Sequence, residues 1–290
     1  MVPRPERVPH VPVSPQEIVD DASRCLDAGA GIVHLHARDH AGDPDWRRET
    51  YERFLPEIRA RRPDAVLCVS TSGRTFPELE RRAHVLSLTG DARPDMASLT
   101  LGSLNFRHEA SVSSPDTILR LAERMREAKI KPELEVFDSG MAQLAHDLLE
   151  RGLVEPPLYV NLLLGGPNTA PARIRDLAHL VDSLPSYTVW AAGGFGAFQL
   201  PVNGMAVFAG GHVRTGLEDN PWLDHSARAP ATNVALVDRA ARLAELAGRP
   251  LAGPGQVRRA LGLPVVPAHA LASDPWHGSR HRDIWPTRGL

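Results

Sequence analysis

The residues with the clearest chemical potential are two histidines, His34 and His36, on either side of one leucine. They follow a glycine-rich turn and an apolar, β-branched run, a pattern typical of a buried strand. Because side chains alternate along a strand, both imidazoles are predicted to lie on one face, about 7 Å apart. Such a pair at the carboxyl end of a strand can bind one metal ion. Hydrogen-bonded histidines without a metal are the alternative, and the Arg38-Asp39 pair directly after them favours the metal site.

A second polar cluster lies far along the chain, where His212, Arg214, Glu218 and Asp219 follow an apolar segment. His212, Arg214 and Glu218 have the same parity, so all three are expected to face one interior. In a closed barrel the last strand lies beside the first, which would bring Glu218 to the histidine pair. Two imidazoles and a carboxylate leave coordination positions open, as catalytic sites do. Zinc is favoured, and manganese, iron or nickel would also fit. The alternatives are a solvated loop for Glu218-Asp219 and a structural ion pair for Arg214.

Glu135 is predicted in the middle of an apolar strand, on the same face as Glu133. A carboxylate in such a position needs a partner or a shifted pKa, and Arg214 is a candidate partner. Hydroxyl and amide side chains also end several strands, namely Ser70, Ser72, Ser98, Asn105 and Asn161. Each of these is explained equally well by turn formation or helix capping.

The elements that must position these residues alternate between strands and helices along the chain. The predicted strands are the histidine strand and residues 65–69, 96–101, 132–137, 158–164, 187–192 and 211–216. The predicted helices are residues 15–28, 47–61, 76–88, 115–128, 141–152, 171–184, 199–205, 229–247 and 254–262. Regular alternation predicts parallel strands, whose polar ends then meet at the mouth of a (β/α)₈ TIM barrel. A doubly wound open sheet is the alternative, but a G-x-G-x-x-G motif after an early strand is missing.

Composition narrows the classes of function. The chain has 290 residues, 42% of them hydrophobic and 23% charged, which suits one α/β barrel. A net charge of -2 gives no field that favours nucleic acid or an anionic membrane, and no apolar run reaches the roughly 18 residues of a transmembrane helix. Cys25 and Cys68 are predicted to be buried and reduced, as in a cytoplasmic protein. Residues 1–263 are predicted to form one domain, and residues 264–290 an irregular arm suited to packing on a neighbouring subunit.

Five blocks of sequence together resemble the β-keto acid cleavage enzymes, the family of 3-keto-5-aminohexanoate cleavage enzyme. The blocks are AGAGIVHLHARD (28–39), STSG (70–73), PDMASLTLGSLNF (94–106), PELEVFDSGM (132–141) and GHVRTGLEDN (211–220). The resemblance covers the chain from about Pro12 to Leu261, and the order and spacing of the blocks make it specific.

This resemblance implies a zinc-dependent TIM barrel, usually a homotetramer, that converts a β-keto acid and acetyl-CoA into acetoacetate and a new acyl-CoA. It implies zinc ligands at His34, His36 and Glu218, and substrate activation by Arg214 and Asp219. The predicted substrate-binding residues are Ser70, Ser98, Glu135 and Asn105, with Ser98 keeping the hydroxyl of the prototype's threonine. The expected partners are the β-keto acid, acetyl-CoA and further copies of the chain, with neither nucleic acid nor a membrane.

One part of the family pattern is missing at the front of the chain. Family members carry a first strand, ending in an active-site glutamate, ahead of the segment that matches Pro12. Residues 1–10 are too short and too proline-rich to replace it, which fits the count of seven strands. A start codon placed too late is expected in preference to a shortened relative with an open seam. Two other classes of function stay open: a metal-dependent hydrolase or aldolase on the same barrel, and a non-catalytic, metal-stabilised binding protein.

Overall fold

The strands of the barrel form one curled parallel sheet. In the structure, a computed structural model that describes residues 3–106 and 109–266, they are β1 (Ile32–Leu35), β2 (Val66–Val69), β3 (Met96–Thr100), β4 (Lys131–Val136), β5 (Leu158–Leu164), β6 (Thr188–Gly194) and β7 (His212–Val213). They lie in the order β1 to β7, with every neighbouring pair parallel. The seven-stranded barrel sheet is therefore confirmed. The sequential order excludes a doubly wound sheet, in which the order reverses.

Helices alternate with the strands, and most of them cover the outer face of the sheet. They are α1 (Pro15–Asp27), α2 (Arg48–Tyr51), α3 (Leu55–Arg61), α4 (Leu79–Ala83), α5 (Pro115–Glu127), α6 (Ser139–Glu150), α7 (Ile174–Asp182), α8 (Gln199–Phe208), α9 (Asn233–Leu246) and α10 (Pro254–Ala260). The first helix begins as predicted, because the Ser14 hydroxyl accepts from the Glu17 N–H and the Glu17 carboxylate accepts from the Ser14 N–H. The chain leaves this helix at Gly29, where φ is +105° and a residue without Cβ is favoured.

The two faces of the sheet bury different side chains. Residues of one parity pack outward against the helices in the main hydrophobic core, among them Val33, Leu67, Leu99, Leu134 and Leu162. The opposite parity faces the barrel interior, where the layer near the amino ends of the strands is apolar: Val66, Cys68, Met96, Tyr159, Ala191, Leu261 and Leu263. Higher on the same face the side chains become polar. The barrel therefore has an apolar floor beneath a polar mouth.

Two predicted helices are shorter or more broken than expected. The single helix predicted over residues 47–61 is two helices, α2 and α3. Pro56 lies in the first turn of α3 and lacks the N–H that a continuous helix would need there. The helix predicted over residues 76–88 is reduced to α4, which is followed by a 3₁₀ turn at His84–Ser87.

The last strand is also shorter than predicted. Of residues 211–216, only those of β7 pair with the sheet, through Ala191 and Ala192 of β6. Residues 206–208, which lie between the predicted helix and the predicted strand, belong to α8. Within the described ranges β7 has a strand neighbour on one side only, so no second partner extends its ladder of hydrogen bonds.

The sheet does not close into a full ring. Between the edges of β1 and β7 lies a seam, a cavity of about 450 Å³ whose lining includes Ile32, Val189, Val213, Val237 and Leu251. This open edge agrees with the expected barrel of fewer than eight strands. No helix in the described part of the chain is both long and apolar enough to cross a membrane. Beyond residue 266 the predicted arm lies outside the described residues, and the single domain over residues 1–263 stays a prediction.

Candidate active site

One guanidinium, that of Arg214, lies among four carboxylates at the carboxyl ends of the strands. Its Nη2 is 2.9 Å from Glu218 Oε2, and its Nε is 3.3 Å from Asp219 Oδ2. Its Nη1 is 3.2 Å from Glu135 Oε1 and 3.6 Å from Glu133 Oε2. None of these side chains is more than 26% exposed. Four sheltered carboxylates around one positive group leave an excess of negative charge, which is unfavourable unless a further cation neutralises it.

Three strands and one helix position this cluster. Glu133 and Glu135 share the inner face of β4 because they are two residues apart. Arg214 follows β7, and the Asn203 side chain on α8 donates to its carbonyl oxygen at 2.9 Å. Gly193 on β6 makes room for the arginine, because a Cβ there would lie 3.0 Å from the Arg214 carbonyl oxygen and 3.3 Å from its Cβ. A larger residue at position 193 would therefore displace the arginine.

His34, His36 and Glu218 form a group that could hold a metal ion. His34 lies in β1 and His36 directly follows that strand, and their Nε2 atoms are 3.2 Å apart. Glu218 Oε1 is 3.3 Å from His36 Nε2, and one ligand atom from each of the three residues lies within 4.8 Å of the others. Tetrahedral zinc, with bonds of about 2.0–2.1 Å, separates its ligand atoms by about 3.3 Å. Both the spacing and the donor types therefore fit a divalent metal ion.

One carboxylate joins this metal-binding group to the guanidinium. Glu218 presents Oε1 to His36 and Oε2 to Arg214. The predicted meeting of Glu218 with the histidine pair is therefore present in the structure. The parity argument behind it is wrong, since β7 ends at Val213 and Glu218 arrives through the following turn. His212, expected on the same interior, lines the seam instead, where burial and the nearby Arg249 charge lower its pKa.

Glu133 contacts His34 through the ring nitrogen that faces away from His36. Its Oε2 lies 2.6 Å from His34 Nδ1, while Asn161 Nδ2 donates to its Oε1 at 2.7 Å and the Cys68 thiol donates to Oε2 at 3.4 Å. A carboxylate on one imidazole nitrogen fixes the ring and leaves the other nitrogen for a metal. Sequence reasoning missed this role, since it placed Glu133 only on the same face as Glu135.

Two carboxylates of the cluster are held ionised. Burial alone would raise the pKa of Glu133, but the neighbouring His34 and Arg214 charges outweigh it and lower the pKa to about 2. Burial also opposes ionisation of Glu218, yet His36 and Arg214 hold its pKa well below the ordinary value. Burial would lower the pKa of His34, and the Glu133 charge outweighs that effect and raises it. These shifts all favour the charged pairs.

The pKa values of the other two carboxylates, Glu135 and Asp219, are shifted in the opposite direction. Burial raises the pKa of Glu135; Arg214 opposes the rise, and the Glu133 charge adds to it. Burial likewise raises the pKa of Asp219, with Arg214 opposing the rise and Glu218 adding to it. Carboxyl groups whose pKa values are pushed apart within one site are typical of acid–base chemistry.

One cavity of about 30 Å³, called here the site cavity, brings together every predicted site residue except Asn105. It shares His34, His36, Arg214, Glu218 and Asp219 with the lining of the larger seam cavity. Its polar lining includes the metal-binding group and Ser70, Ser98, Glu135, Arg214 and Asp219. Its apolar walls are Leu104, Phe106, Phe137, Leu163 and Phe195. Arg74 also lines it, as does Thr100, which sequence reasoning did not place in the site. The Thr100 hydroxyl donates to Glu135 at 2.6 Å.

The predicted hydroxyl and amide side chains differ in their burial and in their hydrogen bonds to the rest of the protein. Among the described residues, Ser70 Oγ accepts only from the local Ser72 N–H, at 3.2 Å. Ser98 is buried, and its Oγ accepts from the Thr71 N–H at 3.2 Å, so this hydroxyl also holds the adjacent loop. Asn105 is exposed in a two-residue strand and is not among the residues that line the site cavity.

Comparison with known proteins places this geometry in a family. A sequence model described as beta-keto acid cleavage enzyme matches residues 1–263. The chain belongs to the beta-keto acid cleavage enzyme family. The family assignment confirms the resemblance carried by the five sequence blocks.

Two curated members of the family and one solved structure are similar to this chain. The 3-keto-5-aminohexanoate cleavage enzyme of Acetoanaerobium sticklandii is 36% identical over 259 residues, covering 89% of this chain and 93% of that protein. The 3-oxoadipate:acetyl-CoA acetyltransferase of Cupriavidus necator is 38% identical over 278 residues, covering 95% of each chain. The apo structure of ObcA is 22% identical with a TM-score of 0.77, and the match covers 88% of this chain and 66% of ObcA. This last likeness supports the barrel fold.

Proposed function

We propose that the protein cleaves a β-keto acid with acetyl-CoA as co-substrate, giving acetoacetate and a new acyl-CoA. One observation carries the proposal: a guanidinium and a three-ligand metal-binding group share the carboxylate Glu218 at the barrel mouth. The two curated relatives support it, because their names describe the cleavage of a β-keto acid and an acetyl transfer from acetyl-CoA.

Zinc is the proposed metal, with His34, His36 and Glu218 as ligands. Two imidazoles and a carboxylate form one of the catalytic zinc sets, and they leave positions for substrate oxygens. When bound, the ion would act as a Lewis acid on the keto and carboxylate oxygens of the substrate. Its charge would also balance the excess of carboxylates around Arg214.

Asp219 and Arg214 are the proposed catalytic pair. Asp219 lines the site cavity and accepts from Arg214 Nε at 3.3 Å, so its position is fixed relative to the guanidinium. A carboxylate can take the proton from C2 of the β-keto acid, whereas a guanidinium is too weak a base. The Arg214 cation stabilises the negative charge that forms on the substrate.

The remaining steps exchange one acyl group for another. The C2 carbanion forms a bond to the acetyl carbonyl carbon, and the CoA thiolate leaves. The thiolate then attacks the original keto carbon, and the bond between that carbon and C2 breaks. C2 takes a proton back from Asp219, which releases acetoacetate and the new acyl-CoA. Glu135, fixed by Thr100 and Arg214, orients the guanidinium through these steps.

The substrate-binding roles of Ser70, Ser98 and Asn105 are part of the proposal. Ser70 is the most available of the three, because it lines the site cavity and its hydroxyl accepts only a local hydrogen bond within the described residues, whereas that of Ser98 also holds the adjacent loop. Asn105 stays a prediction, since its exposed position would need a substrate that extends beyond the cavity.

Assembly and location are proposed in the same way. We propose a homotetramer, which sedimentation or light scattering would test. Apolar side chains exposed near the amino ends of the strands, Tyr187, Phe208 and Leu246, give such an assembly contact surface. Two buried free thiols, Cys25 and Cys68, suit the reducing cytoplasm.

The direct test incubates the zinc-loaded protein with acetyl-CoA and a panel of β-keto acids. Acetoacetate and the matching new acyl-CoA should appear in equal amounts, and Glu218→Gln should abolish both. Release of an acid without consumption of acetyl-CoA would instead support a metal-dependent hydrolase. Formation of neither product from any acid would contradict the proposed reaction.

A further inference from the structure

Arg74 is a cation on the site cavity that takes no part in the Arg214 cluster. It lies in the loop after β2, and it lines the same cavity as His34, His36 and Glu218. Its side chain is only 9% exposed. A sheltered guanidinium facing a substrate cavity is unfavourable unless an anion completes its hydrogen bonding.

The hydrogen-bond donors of the Arg74 guanidinium are poorly satisfied. The buried Nε has no hydrogen-bond partner among the described residues. Its nearest carboxylate is that of Glu109, at 3.6 Å, which is too far for a hydrogen bond and belongs to a side chain that is 47% exposed. An ion pair this long, with one half-exposed member, contributes little. The N–H edge of Arg74 is therefore available to a better acceptor.

Phe106 fixes the plane in which Arg74 can bind. The guanidinium carbon lies 3.6 Å from the centre of the Phe106 ring. Such a contact uses the face of the guanidinium and none of its N–H groups. The stacked, planar fork is the arrangement that recognises a carboxylate through two parallel hydrogen bonds.

The walls of the cavity connect this cation to the catalytic cluster. Leu104, Phe137 and Phe195 are apolar residues that line the same cavity as Arg74 and Arg214, and the last two rings stack with centres 6.2 Å apart. The reacting carboxylate and keto group belong at the metal-binding group and Arg214. An apolar lining that also carries a cation separate from the Arg214 cluster suits a short methylene chain with a second carboxylate.

We propose that Arg74 binds the distal carboxylate of the substrate, so that the substrate class is the β-keto dicarboxylic acids. The inference rests on the proposed function and adds a specificity-determining residue to it. A distal ammonium group would be repelled by the same cation, and a distal methyl group would leave it unpaired.

The test compares two six-carbon acids that differ only at the distal end, 3-oxoadipate with a carboxylate and 3-oxohexanoate with a methyl group. The wild type should favour 3-oxoadipate in kcat/KM by about 50-fold. Arg74→Met should remove most of that preference while its kcat/KM for 3-oxohexanoate stays within about threefold of the wild type. Arg74→Lys, which keeps the charge without the fork, should fall between the two and guards against misfolding of the methionine variant.

Arg81→Met is the matched control. Arg81 is a neighbouring cation, 5.6 Å from the centres of the Trp46 and Phe76 rings, with a side chain 45% exposed. It lines the seam cavity but not the site cavity, so its loss should leave the preference between the two acids unchanged.

Three results would overturn the inference. If the wild type turned over the two acids equally, recognition of a distal carboxylate would be excluded, while the proposed reaction with acetyl-CoA would still stand. A rise in KM for acetyl-CoA alone in Arg74→Met would assign the cation to a CoA phosphate. Absence of acetoacetate with every acid would remove the proposed function, and the inference with it.

Discussion

Two sheltered arginines lie at opposite ends of the barrel and are satisfied in different ways. Arg258 of α10, at the amino ends of the strands, is 2% exposed. It donates to one carboxylate, that of Asp95, at 2.8 and 3.0 Å, and to three backbone carbonyls, those of Asp64, Ala65 and Pro264. Each of its N–H donors has an acceptor, next to the apolar floor of the barrel. Asp95 also accepts from Arg59 at 3.2 Å.

Arg214, at the carboxyl ends, is surrounded by more negative charge than it can neutralise. All four of its side-chain partners are carboxylates, and one of them belongs to the metal-binding group. Burial disfavours its charge, but these carboxylates outweigh that and raise its pKa well above the ordinary value. Arg258 therefore belongs to a completed structural ion pair, whereas Arg214 belongs to an incomplete cluster that needs a further cation and a substrate. The predictions below test that difference.

The largest effect is expected for Arg214→Lys. Lysine keeps the positive charge but cannot hold Glu218 and Asp219 at once, so kcat should fall by about 10³-fold. The midpoint of thermal unfolding should stay within a few degrees of the wild type, because the cluster keeps a cation. A large loss of stability with little loss of kcat would contradict the functional role of this arginine.

The same substitution at the other end of the barrel should do the reverse. Arg258→Lys leaves buried carbonyls without donors, so the free energy of unfolding should fall by about 3 kcal/mol. Because this site is remote from the mouth, kcat should stay within about twofold of the wild type. Urea unfolding and steady-state kinetics on the two lysine variants give the direct contrast. If the two lysine variants lost kcat and stability to the same extent, the proposed difference in role between Arg214 and Arg258 would be wrong.

Glu133→Gln sharpens the assignment of the metal-binding group. Glutamine keeps the size of the side chain but replaces a carboxylate behind His34 with a neutral amide, so zinc affinity should fall by about 10- to 100-fold. Competition with a chromophoric chelator measures this without relying on activity. Glu127→Gln, on the exposed side of α5, is the charge-matched control and should leave zinc affinity unchanged. An unchanged zinc affinity in Glu133→Gln would mean that Glu133 does not position His34.

The smallest effect is expected for Ser14→Ala, far from both arginines. Loss of the hydroxyl that caps α1 should lower the free energy of unfolding by about 1 kcal/mol and leave zinc binding intact. This variant sets the size of an ordinary local effect against which the two lysine variants are judged. A loss of zinc binding in Ser14→Ala would show that the metal-binding group depends on the capping of α1.

Sequence reasoning predicted the parts of the molecule that depend on local pattern. The alternation of strands and helices, the cap at Ser14 and the shared face of His34 and His36 all follow from spacing along the chain. Arg214 was named as a candidate partner of Glu135, because a carboxylate inside an apolar strand requires a partner, and the two are hydrogen-bonded in the structure.

The parts that it missed depend on contacts between distant segments. The bond from Glu133 to His34 joins β4 to β1 across the barrel interior, and no spacing along the chain encodes it. Arg74 lies in a loop without periodicity, so its place over Phe106 could be found only from the structure. The last strand was predicted too long because strand propensity does not show how many neighbours a strand will have.

The most direct test of the central claim traces carbon from acetyl-CoA labelled with ¹³C at both acetyl carbons. The proposed reaction predicts acetoacetate labelled at C3 and C4, with C1 and C2 coming unlabelled from the β-keto acid. The new acyl-CoA should carry no label, and Arg214→Lys should lower the rate without changing the pattern. Unlabelled acetoacetate, or β-keto acid consumed with the labelled acetyl-CoA intact, would contradict the account.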